Sequence, residues 1–382
     1  MGHIPPLDTE PSSPPIYQTT AFDIADLETL AQLHSGAAHG HIYTRDSNPN
    51  RAALADSIAS LEGGEAGGTF SSGMGAIAAV TMTLVKTGEH IIVGRSLYGI
   101  TLKLMARLQK NFGVQATYVD ACDPQQVAAA VQPNTRMCLI ETISNPLLEV
   151  ADPAAIAAAL GDVPLVVDST FTTPELIRPL EHGAAVVLHS ASKYLNGHGD
   201  VMLGVAAGGR AQMKAINSTA ATFGQNSNPF ESWLTQRGLR TLPLRMKQIV
   251  STTNQLAAFL AEHPAVRRVN HPTLEHHATQ ATAARLYPAG TGGIISIELQ
   301  AEGKEAVNRF MRAATEIPFS PTLADSRTTI SHPATTSHEF MTRSERADLG
   351  IRDELVRLSI GLESPELLQQ ELDTALRASL GA

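Results

Sequence analysis

Residues 184–200 read AAVVLHSASKYLNGHGD. An apolar run that fits a buried strand passes directly into small polar residues, with Lys193 among them. The chain holds seven lysines, and this one sits at a strand end rather than on a solvated face. An ammonium there costs desolvation energy unless its charge is paired or its amine is consumed in a bond.

Working outward, the same pattern repeats. AGGTF (66–70), HIIV (90–93), MCLI (137–140), PLVVD (164–168) and AAVVL (184–188) are strand candidates, and GAIAAVTMTLV, LKLMARLQKNF and PAAIAAAL between them fit helices. Strands alternating with helices predict a mostly parallel central sheet covered on both faces. Past Arg240 a long helical stretch runs to about His263, and the texture then changes. GGIISIEL (292–299) and LVRLSIGLE (355–363) read as alternating strands, each followed by a helix, which predicts a smaller α+β unit. The expected organisation is an N-terminal arm over 1–49, a large α/β domain over 50–240 and a small C-terminal domain over 241–382. With 382 residues, more than one packed unit is the expectation.

Composition narrows the function classes. A net charge of −9 and a pI near 5.9 offer no basic footprint for nucleic acid or anionic lipid. Two cysteines, Cys122 and Cys138, do not make a disulfide scaffold and suit a reducing cytoplasm. The polar, Pro-rich start has no apolar signal segment, Pro6 stands where N-myristoylation needs Ser or Thr, and no apolar run is long enough to span a bilayer. The expectation is a cytoplasmic protein acting on a small molecule. His39 and His41, and His276 with His277, lack the partners and spacing of a metal site, and no Gly-x-Ser-x-Gly or phosphate-loop motif occurs.

In an open α/β sheet, ligands bind beyond the carboxyl ends of the strands. Here each strand candidate is followed by glycine or polar residues. Ser72-Gly73-Met74-Gly75 opens a helix, where small residues let backbone amides approach an anion. Tyr98, Asn145 and Asp168 follow further strands, and Ser190, Ser192 and Lys193 follow the last. A phosphate cradle, a stacking ring, a carboxylate for a ring nitrogen and an amine that condenses with an aldehyde describe a pyridoxal 5'-phosphate (PLP) site. The rival is a dinucleotide fingerprint at Gly73-x-Gly75-x-x-Ala78. It needs an acid about 20 positions on. Gly94 and Arg95 stand there, so only an NADP oxidoreductase survives, and it gives Asp168 and Lys193 no role.

These residues resemble the PLP-dependent Cys/Met metabolism enzymes: cystathionine γ-synthase, the cystathionine and methionine γ-lyases and the homoserine-ester sulfhydrylases. The likeness runs from PPIYQTTAF (14–22) to the last helix, through YTRDSNPN (43–50), SSGMGA (71–76), SLYG (96–99), ETISNP (141–146), DSTFTTP (168–174), HSASKYLNGHGD (189–200), PFESWLTQRGLRTLPLRM (229–246) and RLSIGLE (357–363). The resemblance implies the aspartate-aminotransferase-like fold of type I PLP enzymes. It implies that Lys193 bonds the coenzyme and later moves protons between substrate carbons, with Tyr98 as stacking ring and acid–base for the leaving group. Asp168 would pair with the pyridine nitrogen. Gly73, Met74, Ser190 and Ser192 would hold the phosphate, with Tyr43 and Arg45 arriving from a neighbouring subunit. Asn145 would contact the coenzyme's phenolic oxygen or the substrate, and Arg357 would clamp the substrate α-carboxylate, with Thr322 beside it. A homotetramer of dimers that share active sites is implied.

Several positions depart from the family pattern. Ile100 replaces the usual Cys or Gly, Lys103 replaces an Arg, Pro321 an acid, Thr322 a Ser and Ala324 a Gly, and the arm ahead of Pro14 is short. HPATTSH (332–338) and the missing acid lean toward γ-replacement on O-succinyl- or O-acetylhomoserine by sulfide or cysteine, a step of methionine biosynthesis. γ-Elimination from cystathionine or methionine is the alternative.

Overall fold

A computed structural model describes residues 9–381. The sequence reading of the extreme N-terminus, residues 1–8, lies outside the described residues. Eleven strands form two sheets among the described residues. The larger contains β1 (Ala66–Phe70), β2 (His90–Gly94), β3 (Gln115–Val119), β4 (Thr135–Glu141), β5 (Leu165–Asp168), β6 (Val186–Ser190) and β7 (Gly204–Gly208), in the order β1-β7-β6-β5-β4-β2-β3. The run from β6 to β3 is parallel, while β7 lies antiparallel between β6 and β1. The mostly parallel sheet expected from the sequence is therefore present.

The middles of its central strands are apolar because helices cover both faces. Ile91, Ile92 and Val93 are wholly buried, as are Val166 and Val167. Each such side chain contributes roughly 1.5–3 kcal/mol on burial. Two strands of this sheet escaped the sequence reading, as did Val266–Asn270 and Thr329–Ser331 outside it. β7 is GVAAG, with a single β-branched residue, and β3 is half-exposed at the sheet edge, so neither shows a strong apolar run.

The second sheet has β8 (Val266–Asn270), β9 (Ile294–Leu299), β10 (Thr329–Ser331) and β11 (Leu355–Ser359) in the order β10-β11-β9-β8, antiparallel throughout. The sequence reading of alternating strands needs correction here. β9 and β11 are buried along their whole length, because helices Lys304–Ala313 and Pro365–Ser379 and the long helix Leu242–Ala261 share one core with this sheet. The strand in 355–363 also ends at Ser359, short of Gly361.

That long helix joins the two halves. Leu242, Met246 and Ile249 pack in the core beside the large sheet, while Leu256, Ala257 and Leu260 pack under the small one. Its buried Arg245 donates to the carbonyls of Tyr194 (2.6 Å) and Leu195 (3.3 Å), gripping the loop that carries Lys193. Tyr194 in turn accepts the Gly293 amide at 3.1 Å, just before β9. The strand-end loops are thus held between two sheets. Among the described residues no helix is long and apolar enough to cross a membrane.

Candidate active site

A cleft of about 710 Å³ opens at the carboxyl ends of β4, β5 and β6, closed on its far side by β11 and the loop around Thr322. At one end, β1 passes into the helix Gly73–Leu84. Ser72 caps this helix by accepting the Gly75 amide at 3.0 Å. The Gly73 and Met74 amides are the first of the helix, so the helix offers them no acceptor. A side chain at Gly73 would put its Cβ 2.8 Å from that of Ser190, so only glycine lets the two segments approach. Ser190 donates its amide to Thr170 Oγ1 at 2.8 Å, and Ser192 Oγ accepts the Leu203 amide at 3.0 Å.

The floor is made by strand ends. Asp168 Oδ1 accepts both the amide (3.0 Å) and the hydroxyl (2.5 Å) of Thr170. Burial raises the Asp168 carboxyl above its usual range, opposed by the Thr170 bonds and by the charge of His189. His189 is fully buried and bonds Glu62 at 2.6 Å through Nε2. Beside Asp168, Glu141 accepts the Tyr98 amide at 2.7 Å. Tyr98 sits at the start of helix Gly99–Phe112 and lines the cleft, and burial raises its phenol.

Lys193 projects into the cleft with Nζ 3.3 Å from Thr322 Oγ1. Burial, then the Arg357 charge, lowers its amine to about 8. Arg357 is wholly desolvated, which lowers it to about 10. Its Nη1 donates to Asn145 Oδ1 at 3.0 Å and its Nη2 to the Thr322 carbonyl at 3.1 Å, while Nε has no partner. Asn145 precedes a cis peptide to Pro146.

Ten of the twelve residues singled out from the sequence line this one cleft. Tyr43 and Arg45 do not. They lie exposed with the guanidinium 5.2 Å from the Tyr43 ring centroid, away from the cleft of their own chain. Sequence reasoning missed Glu141, Thr170 and Phe340. The first two carried a signal, an acid at the end of β4 and a Thr two residues after Asp168. Phe340 reaches the cleft through a loop with no motif of its own.

The donor set fits PLP. The two free helix amides and the glycine-only approach to Ser190 form a cradle for an anion. A buried carboxylate without an ion-pair partner among the described residues wants a cationic nitrogen, and an amine lowered to about 8 is a competent nucleophile toward an aldehyde.

The comparisons with known proteins agree. A family model described as "Cys/Met metabolism PLP-dependent enzyme" matches residues 3–377. The chain is 40% identical over 370 residues to an L-methionine gamma-lyase of Pseudomonas putida, covering 96% of this chain and 92% of that one. It is 38% identical over 366 residues to an O-succinylhomoserine sulfhydrylase of Pseudomonas aeruginosa, covering 95% and 90%. The crystal structure of cystathionine gamma synthase from Xanthomonas oryzae pv. oryzae, in complex with aminoacrylate and cysteine, superposes with a TM-score of 0.91 at 35% identity, over 97% of this chain and 94% of that one.

Proposed function

The chain belongs to the Cys/Met metabolism PLP-dependent enzymes, and from that premise we propose that it exchanges the γ-substituent of an acylated homoserine for sulfide or cysteine. When bound, PLP supplies an electron-accepting ring that stabilises negative charge at a substrate carbon. In this reading the Gly73 and Met74 amides, with Ser190 and Ser192, hold its phosphate. Asp168 faces its ring nitrogen, Tyr98 covers the ring and Asn145 orients its phenolic edge or the substrate. Lys193 anchors its aldehyde carbon.

Arg357 receives the substrate α-carboxylate. Its terminal nitrogens are already oriented by Asn145 and Thr322, and the unpartnered Nε leaves a donor for the incoming anion. Lys193 removes the proton at the substrate α-carbon and returns one to a neighbouring carbon, a task suited to an amine lowered to about 8. Tyr98, whose phenol is protonated at neutral pH and is raised further by burial, donates to the leaving group. Tyr43 and Arg45 serve the phosphate of a second copy in a homotetramer of dimers, consistent with their distance from their own cleft.

Lys103 carries the replacement reading. Its ammonium lines the cleft, lies 4.3 Å from the Phe340 ring centroid and pairs with no carboxylate among the described residues. A cation beyond Tyr98 suits the free carboxylate of a succinyl ester, or that of cysteine as nucleophile. γ-Elimination is the second reading, favoured by relatives named L-methionine gamma-lyase at 39–40% identity. A product assay separates them. O-Succinylhomoserine, O-acetylhomoserine, cystathionine and methionine are each incubated with and without sulfide or cysteine. Replacement consumes the ester in proportion to added thiol and releases little ammonia. Ammonia and a 2-oxo acid formed without thiol, fastest from methionine or cystathionine, would establish elimination instead.

A further inference from the structure

β4 and β5 run parallel with Glu141 directly beside Asp168, each the last residue of its strand. Two carboxyls therefore stand side by side on the cleft floor, and neither forms an ion pair among the described residues. The surrounding charged and titratable groups come from five directions. His189 on β6 acts on Asp168, and the Tyr98 phenol sits at the helix start. Lys193 lies on the loop after β6 and Arg357 on β11, lining the same cleft. Arg95, past β2, is taken up by Asp120 at 2.6 Å.

Adjacent desolvated carboxyls hold one proton between them, because two neighbouring anions cannot both be sustained. The hydrogen bonds decide which of them keeps it. Asp168 receives two donors from Thr170, which favours its anion. Glu141 receives one, the Tyr98 amide, which a neutral carboxyl oxygen accepts equally well. Burial, and after it the Asp168 charge, raises Glu141 well above the usual carboxylate range.

We propose that Glu141 is held as a neutral carboxylic acid that fixes the Tyr98 backbone, leaving Asp168 as the one anion on the cleft floor. Glu141 is thus a positioning residue. It sets where the Tyr98 ring stands and keeps the negative charge at a single point, under the atom that Asp168 serves. The inference rests on the coenzyme-site reading of Tyr98 and Asp168, and it adds a residue and a protonation state to that reading.

The test compares wild type with Glu141→Gln, Glu141→Ala and Asp168→Asn. The first readout is thermal stability of the full-length, coenzyme-free protein between pH 5 and pH 8. A carboxyl raised in the folded state contributes stability that is fully present below its unfolded value and lost as pH rises toward its folded value. Glutamine cannot titrate, so the Tm of Glu141→Gln minus that of wild type should grow with pH, and grow more than for Asp168→Asn. The second readout is turnover of the holoenzyme. Glu141→Gln keeps the acceptor for Tyr98 and should stay within about threefold of wild-type kcat/KM, whereas Glu141→Ala leaves that amide unpaired and should fall by about tenfold or more.

A Tm difference that is flat with pH, or a pH-dependent gain seen in Asp168→Asn and not in Glu141→Gln, overturns the proposal. So does a Glu141→Gln enzyme as impaired as Glu141→Ala. If wild-type Lys193 binds the coenzyme while any of these results is found, the coenzyme-site reading stands and only the role of Glu141 is lost.

Discussion

Arg357 has two of its three donor nitrogens committed inside the protein, so its guanidinium plane is fixed before any substrate arrives. Arg357→Lys keeps the charge but loses both the fork and its supports. We expect kcat/KM to drop by about 30-fold or more, mainly through KM, in steady-state kinetics. Lys193 gives a prediction in pH. Burial lowers its amine to about 8, so the neutral, nucleophilic form increases as pH rises through that value. Coenzyme uptake by coenzyme-free protein, followed by absorbance, should therefore accelerate about fivefold between pH 7 and pH 8 and level off above pH 9. An uptake rate that still climbs steeply above pH 9 would mean an unshifted lysine. Lys193 was legible in the sequence only in company: alone it reads as a surface lysine, but Ser72-Gly73-Met74-Gly75, Tyr98, Asn145 and Asp168 stand at the ends of other strand candidates. Glu141 was not, because its meaning depends on the strand that lies beside it, which one linear sequence does not reveal.

At the scale of elements, the loop that brings Thr322 to Lys193 and Arg357 is under backbone strain. Ala324 adopts φ 61° while its amide donates to Ser359 Oγ at 2.6 Å. An L-residue with a side chain pays for the left-handed region, and glycine does not. Ala324→Gly should stabilise the protein by roughly 0.5–1 kcal/mol in urea unfolding. A loss of stability would mean that the buried methyl group outweighs the strain. The strands that carry the site, β4, β5 and β6, were legible from their runs of Val, Ile and Leu. β7 was not, since Ala and Gly in a strand look like a turn until Phe70 and Ser190 are seen to flank it. Continuous burial of β9 and β11 was also hidden, because it depends on helices distant in sequence.

At the level of the whole molecule, the proposed working unit is larger than one chain. Tyr43 and Arg45 lie outside their own cleft, and we propose that they complete the cleft of a second copy. A complementation experiment tests this. Lys193→Ala and Arg45→Ala, each nearly inactive alone, are mixed, dissociated and reassembled. A mixed pair then contains one intact site in two, so random reassembly should restore about a quarter of wild-type activity. Activity no greater than the mean of the separate variants would place the phosphate contacts within one chain. The resemblance made this arrangement legible only as an implication, since a single sequence cannot distinguish a side chain that serves its own site from one that serves a neighbour's.

Lys193 is the point on which the fold, the cleft and the proposed reaction converge. Borohydride reduction of coenzyme-loaded protein, followed by peptide mapping, tests its bond directly. One modified peptide is expected, spanning HSASKYLNGHGD, with the reduced coenzyme's mass on Lys193. Label on any of the other lysines instead, or no label on protein saturated with coenzyme, would contradict it.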